Sequence, residues 1–191
     1  MYISTINFQI KNGKAHHTQN EIKKKLDNGR MGNKSSASFD ESEEKSEGTF
    51  IVLADDDADD RDLFSEAVAN SGTKVKMETA RDGVELIELL RTKNKLPDLI
   101  FLDLNMPNKN GRDCLIEIRK SAELRHIPVV IYSTSSSRID IDFTYENGAN
   151  LFISKPSSFR ELVQIAKTVL ALDWKKFQPN SNKDQYVFSL K

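Results

Sequence analysis

Short apolar runs alternate with amphipathic segments from Thr49 onward. Five runs rich in Val, Ile, Leu and Phe have the length and composition of strands that are buried on both faces. They predict strands at 50–54, 75–79, 99–102, 129–132 and 151–153. Helical spacing predicts helices at 58–71, 83–92, 111–121, 137–147 and 158–172. Because parallel neighbours need helical crossovers, the alternation predicts an α/β fold with a doubly wound, five-stranded parallel sheet.

The two ends of the chain lack this alternation. Residues 1–48 are dominated by Lys, Asn, Ser and Glu, a composition that cannot offset chain entropy by burial, and we predict a mostly disordered tail that can be deleted without loss of the fold. The folded domain is expected over 49–172. The C-terminal extension, 173–191, is too short for a helix-turn-helix output domain.

Composition narrows the class of function. The 28 basic and 29 acidic residues give a net charge of −1, which does not indicate a nucleic-acid binder. The single cysteine, Cys114, excludes an internal disulfide framework and favours a reducing compartment. The N-terminal sequence has neither a signal-peptide nor a membrane-span pattern. We therefore expect a cytoplasmic protein that binds neither nucleic acid nor membrane.

Polar side chains follow four of the predicted strands at the point where each strand ends. Asp55 and Asp56 come after the first strand, Asp103 after the third, Ser133 after the fourth and Lys155 after the fifth. Ligands of open α/β sheets bind beyond the carboxyl ends of the strands. These side chains are therefore expected to converge on one site.

The clustered acids predict a bound cation. Two carboxylates about 4 Å apart repel by roughly 4 kcal/mol at an effective dielectric near 20. Carboxylate and carbonyl oxygens suit Mg²⁺, and Lys155 can balance the charge of an anion bound beside the metal. An aspartate in this setting is a reasonable nucleophile toward a phosphoryl group. The nearby acids Asp57, Asp59 and Asp60 need no such role, since the dipole of the helix that they begin favours them.

Residues 49–172 resemble the receiver domain of two-component response regulators. The resemblance rests on an acidic pair after strand one, an Asp followed by Met-Pro after strand three, a hydroxyl after strand four and Lys-Pro after strand five. It implies a flavodoxin-like (βα)5 fold. It also implies a non-enzymatic signalling module, phosphorylated by a phosphohistidine of a sensor histidine kinase or phosphotransfer protein.

The family's site residues can be carried over by position. The resemblance implies that Asp103 is the phosphoacceptor and that Mg²⁺ is held by Asp55, Asp56, Asp103 and the backbone carbonyl of Asn105. Asp55 is expected to act largely through water. No residue outside this set has an implied catalytic role.

The resemblance also assigns the phosphoryl-binding and switch residues. Ser133 is expected to hold a phosphoryl oxygen, although Thr134 is an alternative ligand. Lys155 is expected to pair with the phosphoryl group and to precede a cis peptide bond to Pro156. Phe152 occupies the aromatic switch position and is expected to turn from an exposed to a buried rotamer together with the movement of Ser133.

Three other functions remain open from the sequence. A haloacid-dehalogenase-type phosphatase also uses an aspartyl phosphate, but Asn105 stands where such enzymes place a second aspartate. A phosphate relay or sink would accept phosphate without switching, and a binding protein of receiver shape would not be phosphorylated. If the domain does switch, the resemblance implies docking or homodimerisation through the face from the fourth to the fifth helix, with Tyr145, Phe152 and Phe159 as candidate contacts.

Overall fold

The computed structural model describes residues 48–174, 176–177 and 183–190. The predicted disordered tail therefore lies outside the described residues, except for Gly48. The strands are β1 Thr49–Ala54, β2 Val75–Ala80, β3 Leu99–Leu102, β4 Val129–Ser133, β5 Leu151–Ser154 and β6 Val187–Phe188. The α-helices are α1 Ala58–Asn70, α2 Gly83–Thr92, α3 Gly111–Lys120, α4 Arg138–Glu146 and α5 Phe159–Leu170, and Lys183–Gln185 forms a 3-10 helix.

The described strands form one parallel sheet in the order β2-β1-β3-β4-β5-β6. The predicted doubly wound α/β fold is confirmed, and all five predicted strands are present. The sheet nevertheless has six strands, because part of the C-terminal extension adds β6 beside β5. A two-residue strand in a polar tail gives too weak an apolar pattern for the sequence alone to predict it.

Helices cover both faces of the sheet. On one face, α1 and α5 bury Phe64, Ile165 and Val169 against the strands. On the other face, α2 and α3 bury Leu86 and Leu115, and α4 packs at the edge of the same cluster. Strands enclosed in this way explain why the apolar runs are continuous rather than alternating. None of the described helices is long and apolar enough to cross a bilayer.

Polar caps set the start of each α-helix. The side chains of Asp57, Asp82, Asn110, Ser137 and Ser158 each accept a hydrogen bond from a backbone N–H in the first turn. Such caps satisfy donors that have no partner inside the helix. The differences of one or two residues between predicted and observed helix bounds arise largely because the sequence pattern counted capping residues as helical.

The C-terminal extension is anchored by a buried tyrosine. Tyr186 is 1% exposed and donates a hydrogen bond from its hydroxyl to Thr144 Oγ1 at 2.8 Å. Its ring meets those of Tyr145 and Phe152, with centroids 5.3 and 6.2 Å away. The backbone N–H of Phe152 donates to the carbonyl oxygen of Tyr186 at 2.8 Å. The outer edge of β5 is therefore covered by the chain itself.

Gly111 is required by close backbone approach. Its N–H donates to the Leu104 carbonyl at 3.1 Å, and a Cβ at this position would lie 2.0 Å from the Asp103 carbonyl oxygen. We expect Gly111→Ala to lower the free energy of unfolding by about 2 kcal/mol, because backbone must move to relieve the overlap.

Denaturant unfolding would measure the effect of Gly111→Ala. The comparison variant is Gly72→Ala, where a Cβ has no neighbour within 4 Å but the backbone has a φ of +76°. That variant should lose only about 1 kcal/mol from left-handed backbone strain. An equal or smaller loss for Gly111→Ala would show that the segment after β3 adjusts freely.

Candidate functional site

The carboxyl ends of β1, β3, β4 and β5 lie at one edge of the sheet and carry the polar residues that the sequence places there. Asp55 follows β1 directly, and Asp103 follows β3 with its N–H donating to the Ala54 carbonyl at 2.9 Å. Ser133 ends β4, and its carbonyl accepts a hydrogen bond from the Lys155 N–H at 2.9 Å. Backbone pairing between parallel strands thus aligns the residues of the site.

Three carboxylates form a cluster that can hold a metal ion. Oxygen atoms of Asp55, Asp56 and Asp103 all lie within 4.8 Å of one another. Asp55 is 0% exposed and Asp103 5%, whereas Asp56 reaches the surface. Burial raises the pKa of Asp55 above its ordinary value, although the nearby Lys155 ammonium acts in the opposite direction.

The donor set of this cluster fits a small divalent cation. Asp55 Oδ1 accepts a hydrogen bond from the Asp57 N–H at 3.1 Å, and the buried Oδ2 faces the Lys155 ammonium at 2.7 Å. A divalent cation bound to that oxygen would take the place of the Lys155 ammonium. Around octahedral Mg²⁺, adjacent ligands are about 3 Å apart and opposite ligands about 4.2 Å, so the three carboxylates would draw closer together around this ion.

Lys155 lies inside the cluster and is well shielded from solvent. Its side chain is 9% exposed, and Nζ lies 2.7 Å from Asp55 Oδ2, 2.7 Å from Asp60 Oδ2 and 3.9 Å from Asp103 Oδ2. Burial opposes the charged form, but hydrogen bonds to Asp55 and Asp60 outweigh this and raise the pKa of the ammonium group. Lys155 therefore stays cationic and lies close to the predicted phosphoacceptor.

Asp60 takes a position that the sequence interpretation missed. In the sequence, the helix dipole was enough to explain an acid at this position. Asp57 does cap α1, by accepting hydrogen bonds from the N–H groups of Asp59 and Asp60. The Asp60 side chain, however, pairs with Lys155 rather than pointing into solvent. The dipole explanation is thus incomplete for this residue, while Asp59 is exposed as expected.

The two candidate hydroxyl residues differ in their surroundings. Ser133 is fully buried, and its Oγ faces the Ser135 N–H at 3.4 Å. Thr134 is exposed, and so is the side chain of Asn105. The peptide bond between Lys155 and Pro156 is trans, so the expectation of a cis bond is wrong for this structure. The trans form is the intrinsically favoured isomer of an X-Pro bond.

Phe152 does not have the exposed ring that the resemblance led us to expect. It is 0% exposed, because β6 runs along β5 and the Tyr186 ring packs against it. Since β6 was not predicted, its effect on Phe152 could not be foreseen. Any rearrangement of Phe152 must therefore involve the C-terminal segment as well.

A hydrogen-bonded acid fixes the segment between β4 and α4. Asp140 accepts hydrogen bonds from the hydroxyls of Ser135 and Ser137 and from the Arg112 guanidinium. Although burial acts in the opposite direction, these hydrogen bonds hold the pKa of Asp140 below its usual range. In the sequence, Asp140 looks like an ordinary acid in the first turn of a helix, so its hydrogen bonds could not be predicted.

Comparison with known proteins agrees with this geometry. A family model for the response regulator receiver domain matches residues 51–167. The response regulator Rcp1 of a Synechocystis species is 30% identical over 133 residues, which cover 67% of this chain and 90% of Rcp1.

Solved structures give the same result. The phosphorylated cyanobacterial phytochrome response regulator RcpA is 39% identical with a TM-score of 0.60, covering 64% of this chain and 91% of RcpA. The Mn²⁺-bound form of Rcp1 is 28% identical with a TM-score of 0.61, covering 70% of this chain and 99% of the Rcp1 chain. The chain described here therefore belongs to the response regulator receiver family.

Proposed function

We propose that this response regulator accepts a phosphoryl group on Asp103 from a phosphohistidine, in a reaction that depends on Mg²⁺. The observation that carries the proposal is the arrangement around Asp103. Its carboxylate lies within 4.8 Å of oxygens from Asp55 and Asp56, and the Lys155 ammonium is 3.9 Å away. A nucleophile, a metal site and a fixed positive charge thus stand together, as phosphoryl transfer requires.

The transfer forms one bond and breaks another. A carboxylate oxygen of Asp103 attacks phosphorus, and the P–N bond to the donor imidazole breaks as the new P–O bond forms. The released imidazole takes a proton from solvent. Lys155 neutralises negative charge on the transferred group. A Mg²⁺ ion held by Asp55, Asp56, Asp103 and the Asn105 carbonyl would neutralise charge on the phosphoryl oxygens as well.

Ser133 is the hydroxyl that we assign to the phosphoryl group. It ends the strand beside β5 and is joined by a backbone hydrogen bond to Lys155, the other group with that assignment. Thr134 is exposed and lies one residue beyond the strand. Ser133→Ala and Thr134→Ala would separate the two assignments, because only removal of the true ligand should slow phosphorylation.

Incubation with acetyl phosphate and Mg²⁺ tests the proposed function directly. We expect one phosphoryl group per chain in an acid-stable, base-labile adduct, with little turnover of acetyl phosphate. Sustained hydrolysis would instead favour the phosphatase alternative, which Asn105 in place of a second aspartate argues against. Because RcpA is described as a phytochrome response regulator, a phytochrome-type histidine kinase is the first protein donor to test.

The metal site gives a second prediction. We expect Asp56→Ala to weaken Mg²⁺ binding at least about tenfold, because one of three clustered carboxylates is lost. Calorimetry or NMR titration would measure the affinity. Asp59→Ala removes the same charge from an exposed position nearby and should leave the affinity within about twofold. Equal affinities for the two variants would contradict the assigned ligand set.

The face from α4 to α5 is our proposed surface for partner binding or homodimerisation. Ile139 on α4 is 80% exposed, more than any other large apolar side chain among the described residues, and offers an apolar contact point on this face. Tyr145 and Phe159 are half-buried on this face, whereas Phe152 is covered by β6. Beryllofluoride, which mimics the phosphoryl group, should strengthen the contact in the wild type and do so less in Lys155→Ala.

A further inference from the structure

Lys155 is held by two carboxylates, and neither belongs to the predicted phosphoacceptor. Its Nζ lies 2.7 Å from oxygens of both Asp55 and Asp60, but 3.9 Å from Asp103. Charge-assisted hydrogen bonds between an ammonium and a carboxylate are about 2.7 to 2.9 Å long, so the contact with Asp103 is a weaker, through-space one. The ammonium group is thus drawn toward the α1 side of the site.

Asp60 lies on the rigid helix α1, so its carboxylate cannot follow the Lys155 side chain if that side chain moves. Its N–H donates to the capping Asp57 Oδ1 at 3.2 Å. Phe64, one turn further along α1, is fully buried, and its ring meets those of Phe101 and Tyr132 with centroids 4.8 and 5.1 Å away. The position of the Asp60 carboxylate is therefore set by the packing of α1 on the sheet.

The two carboxylates that hold Lys155 differ in what else they can bind. Asp55 belongs to the acidic cluster that fits a divalent cation, and a metal there would compete with Lys155 for the Asp55 carboxylate. Asp60 lies outside that cluster, and its side chain is 37% exposed. With a cation in place, Asp60 is the carboxylate left to compete with a phosphoryl group for Lys155.

We propose that Asp60 is a positioning residue. By pairing with Lys155, it holds the ammonium group back from the phosphoryl group on Asp103. The inference rests on the proposed function, because it takes Lys155 as the partner of that group. Phosphorylation must break or stretch the pair between Asp60 and Lys155, so this pair lowers the affinity of the site for a phosphoryl group. It also links the state of the site to the first turn of α1.

Beryllofluoride binding in the presence of Mg²⁺ tests the proposal. The variants are Asp60→Asn, Asp60→Ala and Asp60→Glu, with Asp59→Asn as the matched control. Asp59 is exposed in the same helical turn, so its substitution removes the same charge without touching Lys155. Fluorine NMR titration gives the dissociation constant of each variant, and thermal unfolding shows that each is folded.

We expect Asp60→Asn and Asp60→Ala to bind beryllofluoride about threefold more tightly than Asp59→Asn, which is the effect of releasing one partly exposed ion pair. Asp60→Glu can still reach Lys155 and should return the affinity toward the wild-type value. In the absence of beryllofluoride, the Lys155 ammonium ¹⁵N signal should shift in Asp60→Asn and stay in place in Asp59→Asn. This second readout does not depend on phosphoryl binding.

The possible failures are distinguishable. If wild type binds beryllofluoride but Asp60→Asn matches Asp59→Asn or binds more weakly, the restraint is absent and the proposed function stands. An unmoved Lys155 signal in Asp60→Asn would likewise overturn the inference. If wild type itself binds no beryllofluoride, the proposed phosphoryl site is wrong, and the positioning role of Asp60 is overturned with it.

Discussion

Asp103→Asn is expected to abolish phosphorylation by both acetyl phosphate and a kinase donor, with a loss of at least about a thousandfold. An amide cannot form the acyl phosphate, whereas the rest of the site is retained. The Leu104 N–H, which donates to Asp103 Oδ1 at 2.8 Å, keeps an acceptor in the amide oxygen. The variant should therefore fold normally. Radiolabelled phosphate transfer or intact mass would measure the loss.

Asp113→Asn is the matched control for this prediction. Asp113 is exposed in the first turn of α3. Its substitution by Asn removes the same charge as Asp103→Asn, but at a position outside the site. It should be phosphorylated at the wild-type rate within about twofold. If Asp103→Asn still formed a base-labile adduct at a comparable rate, another side chain would be the acceptor and the assignment would be wrong.

The sequence predicted the fold and most of the candidate site for a physical reason. Enclosed parallel strands must be apolar along their whole length, so the points where they end are visible in the sequence. At those points stand Asp55, Asp103 and Lys155, each directly after its strand, and Ser133, the last residue of β4; these strands pair in parallel. Their convergence follows from the topology and needs no knowledge of side-chain conformations.

The role of Asp60 could not be predicted in the same way. The helix dipole already explains an acid in the first turn of a helix, so nothing in the sequence indicated a second role for the Asp60 charge. Its pairing depends on the orientation of α1 relative to a lysine that is 95 residues away. Such contacts between distant segments follow from tertiary packing and leave no periodic pattern.

The C-terminal strand was missed because its stability comes from contacts and not from its own sequence. Only two residues form β6, and Tyr186, which anchors it, is separated from its partners on α4 and β5 by more than thirty positions along the chain. An isolated strand of this length would not form in water. Its presence changes the proposed docking face, since β6 covers the edge of β5.

Tyr186 also joins a hydrogen-bonded series that leads toward the site. Its hydroxyl donates to Thr144 Oγ1, which in turn donates to the Asp140 carbonyl at 2.7 Å. The Asp140 carboxylate accepts from the Ser135 hydroxyl, and the Ser135 N–H faces Ser133 Oγ. The structure thus offers a connected route between the hydroxyl assigned to the phosphoryl group and the C-terminal segment.

Tyr186→Ala is expected to detach the C-terminal segment and lower the free energy of unfolding by about 3 kcal/mol. The change removes a buried aromatic ring from contact with Tyr145 and Phe152, together with a buried hydrogen bond. The loss cannot exceed what the segment contributes, because β6 can open while the rest of the sheet stays folded.

Amide hydrogen exchange at Phe152 reports this opening directly, since its N–H donates to the Tyr186 carbonyl. Exchange should become about a hundredfold faster in Tyr186→Ala, in line with the loss of roughly 3 kcal/mol. Tyr186→Phe keeps the ring and the backbone pairing, so it should cost only about 1 kcal/mol and leave Phe152 largely protected. Unchanged exchange in Tyr186→Ala would mean that β6 is held by its backbone alone and that Tyr186 does not control access to Phe152.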